Sequence, residues 1–235
     1  MGRAIGPSRF RNWKADHRAN TINEWRSASV DLLANVVCKT CNGGWMSALE
    51  NEEAIPAMKS LIIEDTPDTL SPRRIISIAA FTFKTAVIMD AMMRQQEPFF
   101  SANTRYRFVS SLDMPDGLQM WIGRFSGANE WHGSICARYF KYEGSAMRNF
   151  RSYALTYSAG HLVIQMVAMK RIKGKSNRSS SFPQLTQADM WTYFARRFWP
   201  NFFGSAVRWP PLYHLDEESI KIFGNRWSAP FIVRD

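Results

Sequence analysis

The apolar residues of this chain change their spacing once, and that change constrains the fold more than any other feature. Ile75, Ile76, Ala79, Ala80, Phe83, Ala86, Val87 and Met93 recur at steps of three and four, which predicts a long helix that is strongly amphipathic or largely buried. Beyond Met114-Pro115-Asp116-Gly117 the period becomes two. Residues 118–125, 135–142, 150–157 and 161–169 therefore predict four strands, separated by Gly, Ser and Asn turns. Short turns join neighbours most economically as an antiparallel meander. Helices followed by strands predict an α+β chain, with helices packed on an antiparallel sheet.

Local signals place the other elements. Ser71 before Pro72 is a cap residue followed by proline at the first helical position, so the long helix starts there. Ser47 and Glu50 have the spacing of a capping box, predicting a helix to about residue 62 that Pro56 kinks or divides. A short strand is expected over 29–37, and weaker signals suggest a helix over 102–110. The tail reads as an aromatic helix over 190–199, stopped by Pro200, and a shorter one over 216–223. There is no internal repeat.

Composition narrows the partners. Of 235 residues, 46% are hydrophobic and 14% aromatic, which excludes a disordered chain and requires a real core. A net charge of +10 favours polyanions, with nucleic acid, chiefly DNA, the leading partner. Three cysteines make no disulfide framework, which points to a reducing, cytoplasmic setting. The amino terminus lacks the apolar core of a signal peptide, and the apolar stretch 75–93 is interrupted by Lys84 and Asp90, so no membrane role is expected. Oligomeric state is not legible. The first 26 residues read as a basic, partly ordered arm with Trp13 and Trp25 among arginines, and residues 170–181 as a mobile cationic loop. Arg9, Arg11, Lys14, Arg18, Lys170, Arg171, Lys173 and Lys175 are the candidates for phosphate contact, against the plainer reading of a solvated basic face. Most aromatic rings, including Phe83 and Trp121, fall on apolar periodicities and are expected in the core.

The chemistry-bearing motif is Val36-Val37-Cys38-Lys39-Thr40-Cys41-Asn42. Two thiols three apart suit one tetrahedral zinc ion, but no second Cys-x-x-Cys or His-x-His completes four ligands. A redox pair and two buried thiols are the other readings; redox is the weakest, because Asn42-Gly43-Gly44 intervenes before the helix that Ser47 would cap. His132 and Cys136 lie four apart in a predicted strand, a separation of about 13 Å that no zinc can bridge. His161 and His214 are isolated and read as structural or surface residues. Glu50, Glu52 and Glu53 read as ordinary helix-start charges.

The run Cys38-Lys39-Thr40-Cys41-Asn42-Gly43-Gly44-Trp45-Met46-Ser47-Ala48-Leu49-Glu50 resembles the HNH endonucleases of the ββα-metal class, in particular a little-characterised bacterial group with this form of knuckle. The resemblance implies a partial zinc-knuckle module over residues 1–65 and a larger α+β domain over 66–235. It makes Cys38 and Cys41 structural zinc ligands, and Asn42 a contact to a catalytic Mg2+ or Mn2+ beside the scissile phosphate. The general base it requires is His17, preceded by Asp16 and 21 residues before Cys38. Arg18-Ala19-Asn20 replaces the apolar residues and proline that follow the base in the family, and Asp31 and Asn35 stand off the offset of its middle Asn. The missing zinc pair implies either that it precedes Met1 or that the module is degenerate. The implied function is metal-dependent phosphodiester hydrolysis; the alternative is a non-catalytic nucleic-acid-binding or regulatory protein that keeps the knuckle as a brace.

Overall fold

Two apolar faces, one on each side of a single sheet, organise the chain. The structure is a computed structural model that describes residues 10–16, 21–27, 36–64, 66–93, 98–126, 133–140, 150–172, 194–201, 204 and 206–225. Of residues 10–16, 21–27, 133–136, 138–140, 221, 224 and 225 it describes the backbone alone. In chain order come β1 (Phe10–Asp16), β2 (Thr21–Ser27) and a helical run. That run comprises α1 (Lys39–Cys41), π-helical stretches at Asn42–Met46 and Leu49–Ala54, and α2 (Ile55–Ile63). There follow β3 (Asp68–Leu70), α3 (Pro72–Met92), α4 (Ala102–Ser111), β4 (Leu118–Arg124), β5 (Gly133–Phe140) and β6 (Phe150–Ala159). Last are β7 (Leu162–Arg171), β8 (Ala195–Trp199), β9 (Val207–Trp209) and α5 (Glu217–Asn225). The α+β class is as the sequence predicts.

Ser71 opens α3 as its sequence position predicts, its hydroxyl accepting from the Arg74 amide at 3.4 Å with Pro72 beside it. Ser101 likewise caps α4 through the Thr104 amide at 3.2 Å. Asp216 and Ser219 exchange side-chain and backbone bonds at the start of α5, at 2.8 and 2.7 Å.

Five strands pair antiparallel in the order β5-β6-β7-β4-β8. Side chains alternate across the sheet, so Met120, Ile122, Tyr153, Leu155, Ile164 and Met166 pack with α2 and α3 on one face. Trp121, Ala154, Val163 and Val167 face the other way, against Leu215 and the α5 residues Ile220 and Phe223. A sheet covered on both faces explains why β6 and β7 are buried almost throughout rather than at every second residue. Polar bonds fasten both layers. The Tyr153 hydroxyl donates to the Ala86 carbonyl at 3.2 Å, and the Gln165 amide donates at 2.9 Å to both Thr156 Oγ1 and the Phe223 carbonyl. Gly160, at φ 53°, makes the tight β6–β7 turn that a side chain would strain.

Four expectations are corrected. The meander is incomplete: β4 pairs with β7 and β8, not β5, which places this almost wholly buried strand inside the sheet. The aromatic stretch at 195–199 is strand β8 rather than helix; Ala195 and Phe198 enter opposite cores, a period of two. Residues 190–193 lie outside the described residues. The amino-terminal arm contains an antiparallel hairpin, with Phe10 opposite Ser27 and Asp16 opposite Thr21. Val36 and Val37 form a turn and a bend, not the end of a strand, while 28–35 lie outside the described residues. The sequence reading also missed the two-stranded β3–β9 pair.

Candidate functional site

The two thiols sit at the first turn of the helical run. Cys38 has extended backbone, φ −71° and ψ 154°, and its Sγ accepts the Cys41 amide at 3.3 Å. The Asn42 amide then donates to the Cys38 carbonyl at 3.0 Å, closing the turn. A sulfur thus takes the capping role that oxygen acceptors usually fill. The expected capping box at Ser47 does not form. Ser47 has helical angles, φ −65° and ψ −41°, and its hydroxyl accepts from Asn51 Nδ2 at 3.0 Å. Gly43-Gly44 does interrupt the helical run, as expected: Gly44 has non-helical angles, φ −98° and ψ −115°, so a short helical segment carrying the thiols precedes the break and the longer helix follows it. Pro56 follows the π-helical stretch Leu49–Ala54, whose wider turns accommodate its missing amide.

The Cys41 backbone amide, aided by a side-chain bond to Cys41, holds the Cys38 thiol below its ordinary value against a weaker opposing effect of desolvation. Cys38 is exposed and Cys41 half-buried. Thiolate is the form that binds metal, so the pair suits two of the four positions of a tetrahedral zinc. Among the described residues no group of three or more His, Cys, Asp or Glu is gathered to hold a metal. The described donors therefore fit half a zinc site, and its other ligands would have to come from elsewhere.

Asn42 is exposed one residue beyond Cys41. His17, Arg9, Arg18, Asp31, Asn35, Lys173 and Lys175 lie outside the described residues, so the expected base is not brought beside Asn42 by anything described. Arg11 and Lys14 are in β1, opposite Arg26 and Asn23 in register. The hairpin's main neighbour among the described elements is β5 rather than the knuckle helix. Lys170 and Arg171 correct the expected mobile loop: both are half-buried at the end of β7. The Lys170 ammonium donates to the Phe99 carbonyl at 3.3 Å, and the Arg171 guanidinium lies 5.8 Å from the Phe150 ring centre.

Behind the thiols, tertiary contacts fix the helix. Trp45 meets the Phe108 ring edge-on at 5.9 Å, while Met46 and Leu49 are buried. Glu50 accepts from the Lys84 ammonium at 3.0 Å, and Lys84 also lies 4.5 Å from the Phe81 ring centre. Glu53 accepts from Arg73 at 3.3 Å and from the Ser77 hydroxyl at 3.1 Å. Glu50 and Glu53 are thus tertiary anchors rather than helix-start charges. The signal was present in the sequence, because Lys84 is a cation on an apolar helix and a buried charge requires a partner. A pocket of about 410 Å³ opens between this helix, α3 and the end of α4, walled by Leu49, Ile76, Ala80 and Leu112. It contains none of the residues expected to carry chemistry.

α3 is long and apolar enough to cross a membrane by length and composition, yet Lys84 and Asp90 on it are buried with polar partners. His161 is a structural residue, its Nδ1 lying 3.1 Å from the Phe125 carbonyl and its amide donating to Ile62 O at 3.1 Å. Comparison of the chain with known protein families, with curated proteins and with solved structures gives no match.

Proposed function

We propose that the chain is an HNH-type, metal-dependent nucleic-acid endonuclease in which Cys38 and Cys41 contribute two ligands to a structural zinc. The observation that carries this reading is the helix start at Cys38. Its sulfur accepts the Cys41 amide, so both thiols belong to one turn, with Asn42 immediately after them. The element order supports it as well, since a β-hairpin precedes the helix and Asp16-His17 falls where β1 ends. In this reading His17 takes the proton from the attacking water and Asn42 would help to hold the divalent ion near the scissile phosphate. When bound, that Mg2+ or Mn2+ supplies charge stabilisation at the leaving oxygen. The net charge of +10 draws the polyanion to the surface.

A second reading, a non-catalytic nucleic-acid-binding protein with the knuckle as a brace, is favoured by the hairpin's lying nearest β5 instead of against the knuckle helix. One experiment separates them. Supercoiled plasmid is incubated with the chain and Mg2+ or Mn2+, beside the His17→Ala and Asn42→Ala variants, and zinc content is measured on the same samples. The nuclease reading expects about one zinc per chain, lost in Cys38→Ser, and nicking abolished by either active-site substitution. Plasmid retention that weakens with salt, without nicking, supports the second reading. Nicking unchanged in His17→Ala removes that residue from the mechanism.

A further inference from the structure

We propose that Cys38 and Cys41 form a reversible dithiol–disulfide pair, with Cys38 the attacking thiol and Cys41 the resolving one. This assignment does not depend on zinc. A redox pair is the weakest reading from sequence because Asn42-Gly43-Gly44 separates the thiols from the helix behind them; the structure keeps a break at Gly44 but gives the thiols a short helical segment of their own, which begins at Lys39 directly after Cys38. Both thiols lie on its first turn, where residues three apart have Cα atoms about 5 Å apart, within the 4.4–6.8 Å range that a disulfide spans. The Cys41 amide bond to Cys38 Sγ, at 3.3 Å, holds the first sulfur over the backbone of the second cysteine. Accessibility sets the order, since Cys38 is exposed and Cys41 half-buried. A Cβ placed at Gly43 or Gly44 would meet nothing within 4 Å among the described residues, so the two residues that follow Asn42 border open space.

The reaction partner is a low-molecular-weight disulfide. The Cys38 thiolate attacks one of its sulfurs, the small S–S bond breaks, and one small thiolate leaves as a mixed disulfide forms at Cys38. The Cys41 thiolate then attacks Cys38 Sγ and expels the second small thiolate. Two protein thiols are oxidised, one disulfide is reduced to two thiols, and the protons pass from the protein cysteines to the departing thiolates.

The test uses the full chain, stripped of metal with a chelator and equilibrated across ratios of reduced to oxidised glutathione. Samples are quenched in acid, alkylated and analysed by intact mass and peptide mapping. The expected result is loss of both alkylatable thiols at 38 and 41 together, with a peptide linking them, reversed by reduced glutathione. Cys41→Ser accumulates a glutathione adduct at Cys38, and Cys38→Ser gives a slower adduct at Cys41. The proposal is overturned if both thiols stay alkylatable in oxidised glutathione alone, or if the wild-type chain stops at a mixed disulfide. Because the readout is taken without metal, its failure is separate from failure of the zinc reading.

Discussion

Replacing Glu50 by Ala removes the only acidic partner described for the Lys84 ammonium and leaves that cation in the protein interior. The side chain of Lys84 is 7% exposed and that of Glu50 is 38% exposed, so the pair is lopsided. Removing one partner of a fully buried pair costs about 3 to 5 kcal/mol, whereas an exposed pair is worth about 0 to 1 kcal/mol. With the carboxylate reached by water and the ammonium not, Glu50→Ala is expected to cost about 2 kcal/mol, or about 4 to 8 °C in Tm. The Phe81 ring, 4.5 Å from the ammonium, offsets a small part of the loss. Lys84→Met is expected to cost less than about 1 kcal/mol, because the cation goes, its apolar stem is replaced, and Glu50 turns to solvent.

The asymmetry is the test. Urea titrations of wild type, Glu50→Ala, Lys84→Met and the double variant close a thermodynamic cycle, read from midpoints at constant slope. The double variant is expected to resemble Lys84→Met, giving a coupling equal in size to the cost of Glu50→Ala, about 2 kcal/mol. Lys84→Met as damaging as Glu50→Ala, or a coupling near zero, would refute the argument that an unpaired interior cation sets the cost.

Two further predictions concern carboxylates. Asp90 is 2% exposed and accepts the Phe99 and Phe100 amides, each at 3.0 Å, so Asp90→Ala is expected to cost about 3 kcal/mol and Asp90→Asn roughly half of that. Amide hydrogen exchange at Phe99 and Phe100 should accelerate in both, and unchanged protection would show that the loop is held by other contacts. Asp68 is held below its ordinary value of 3.8, chiefly by the Arg74 guanidinium at 2.6 Å, so its charge adds stability above that pH, which is lost as pH falls through the lowered folded value. Asp68→Asn should therefore show a shallower fall in urea midpoint below about pH 4 than wild type, and parallel curves would remove this carboxylate from the acid response.

What was legible in the sequence was whatever depended on neighbours along the chain. Ser71-Pro72 and the three- and four-residue steps after it describe α3 because capping and helical periodicity are local. The β6–β7 hairpin was legible because Gly160 marks its turn. β8 was misread because Phe194, Phe198 and Trp199 are compatible with either period, and only pairing with β4, some 75 residues earlier by sequence register, selects the strand. The knuckle failed in a different way. Ser47 and Glu50 satisfy the capping pattern, but Glu50 is drawn to Lys84 and the capping bond is made earlier, by a sulfur that such patterns omit.

That early start also decides what the thiols are attached to. The helical run is held near its beginning by Trp45 on Phe108, at its middle by Glu50 on Lys84, and at its end by the His161 amide on the Ile62 carbonyl. Leu49, Met58 and Leu61 share one apolar core with α3 and the sheet. These contacts order the helix from Trp45 onward without help from a metal, in contrast to small zinc modules whose folding free energy is that of metal binding. The segment whose conformation the thiols govern is therefore short, running from Cys38 to the break at Gly44. A ligand or a disulfide at Cys38 and Cys41 acts on that one turn and on Asn42 within it, while the core behind Trp45 supplies a fixed base.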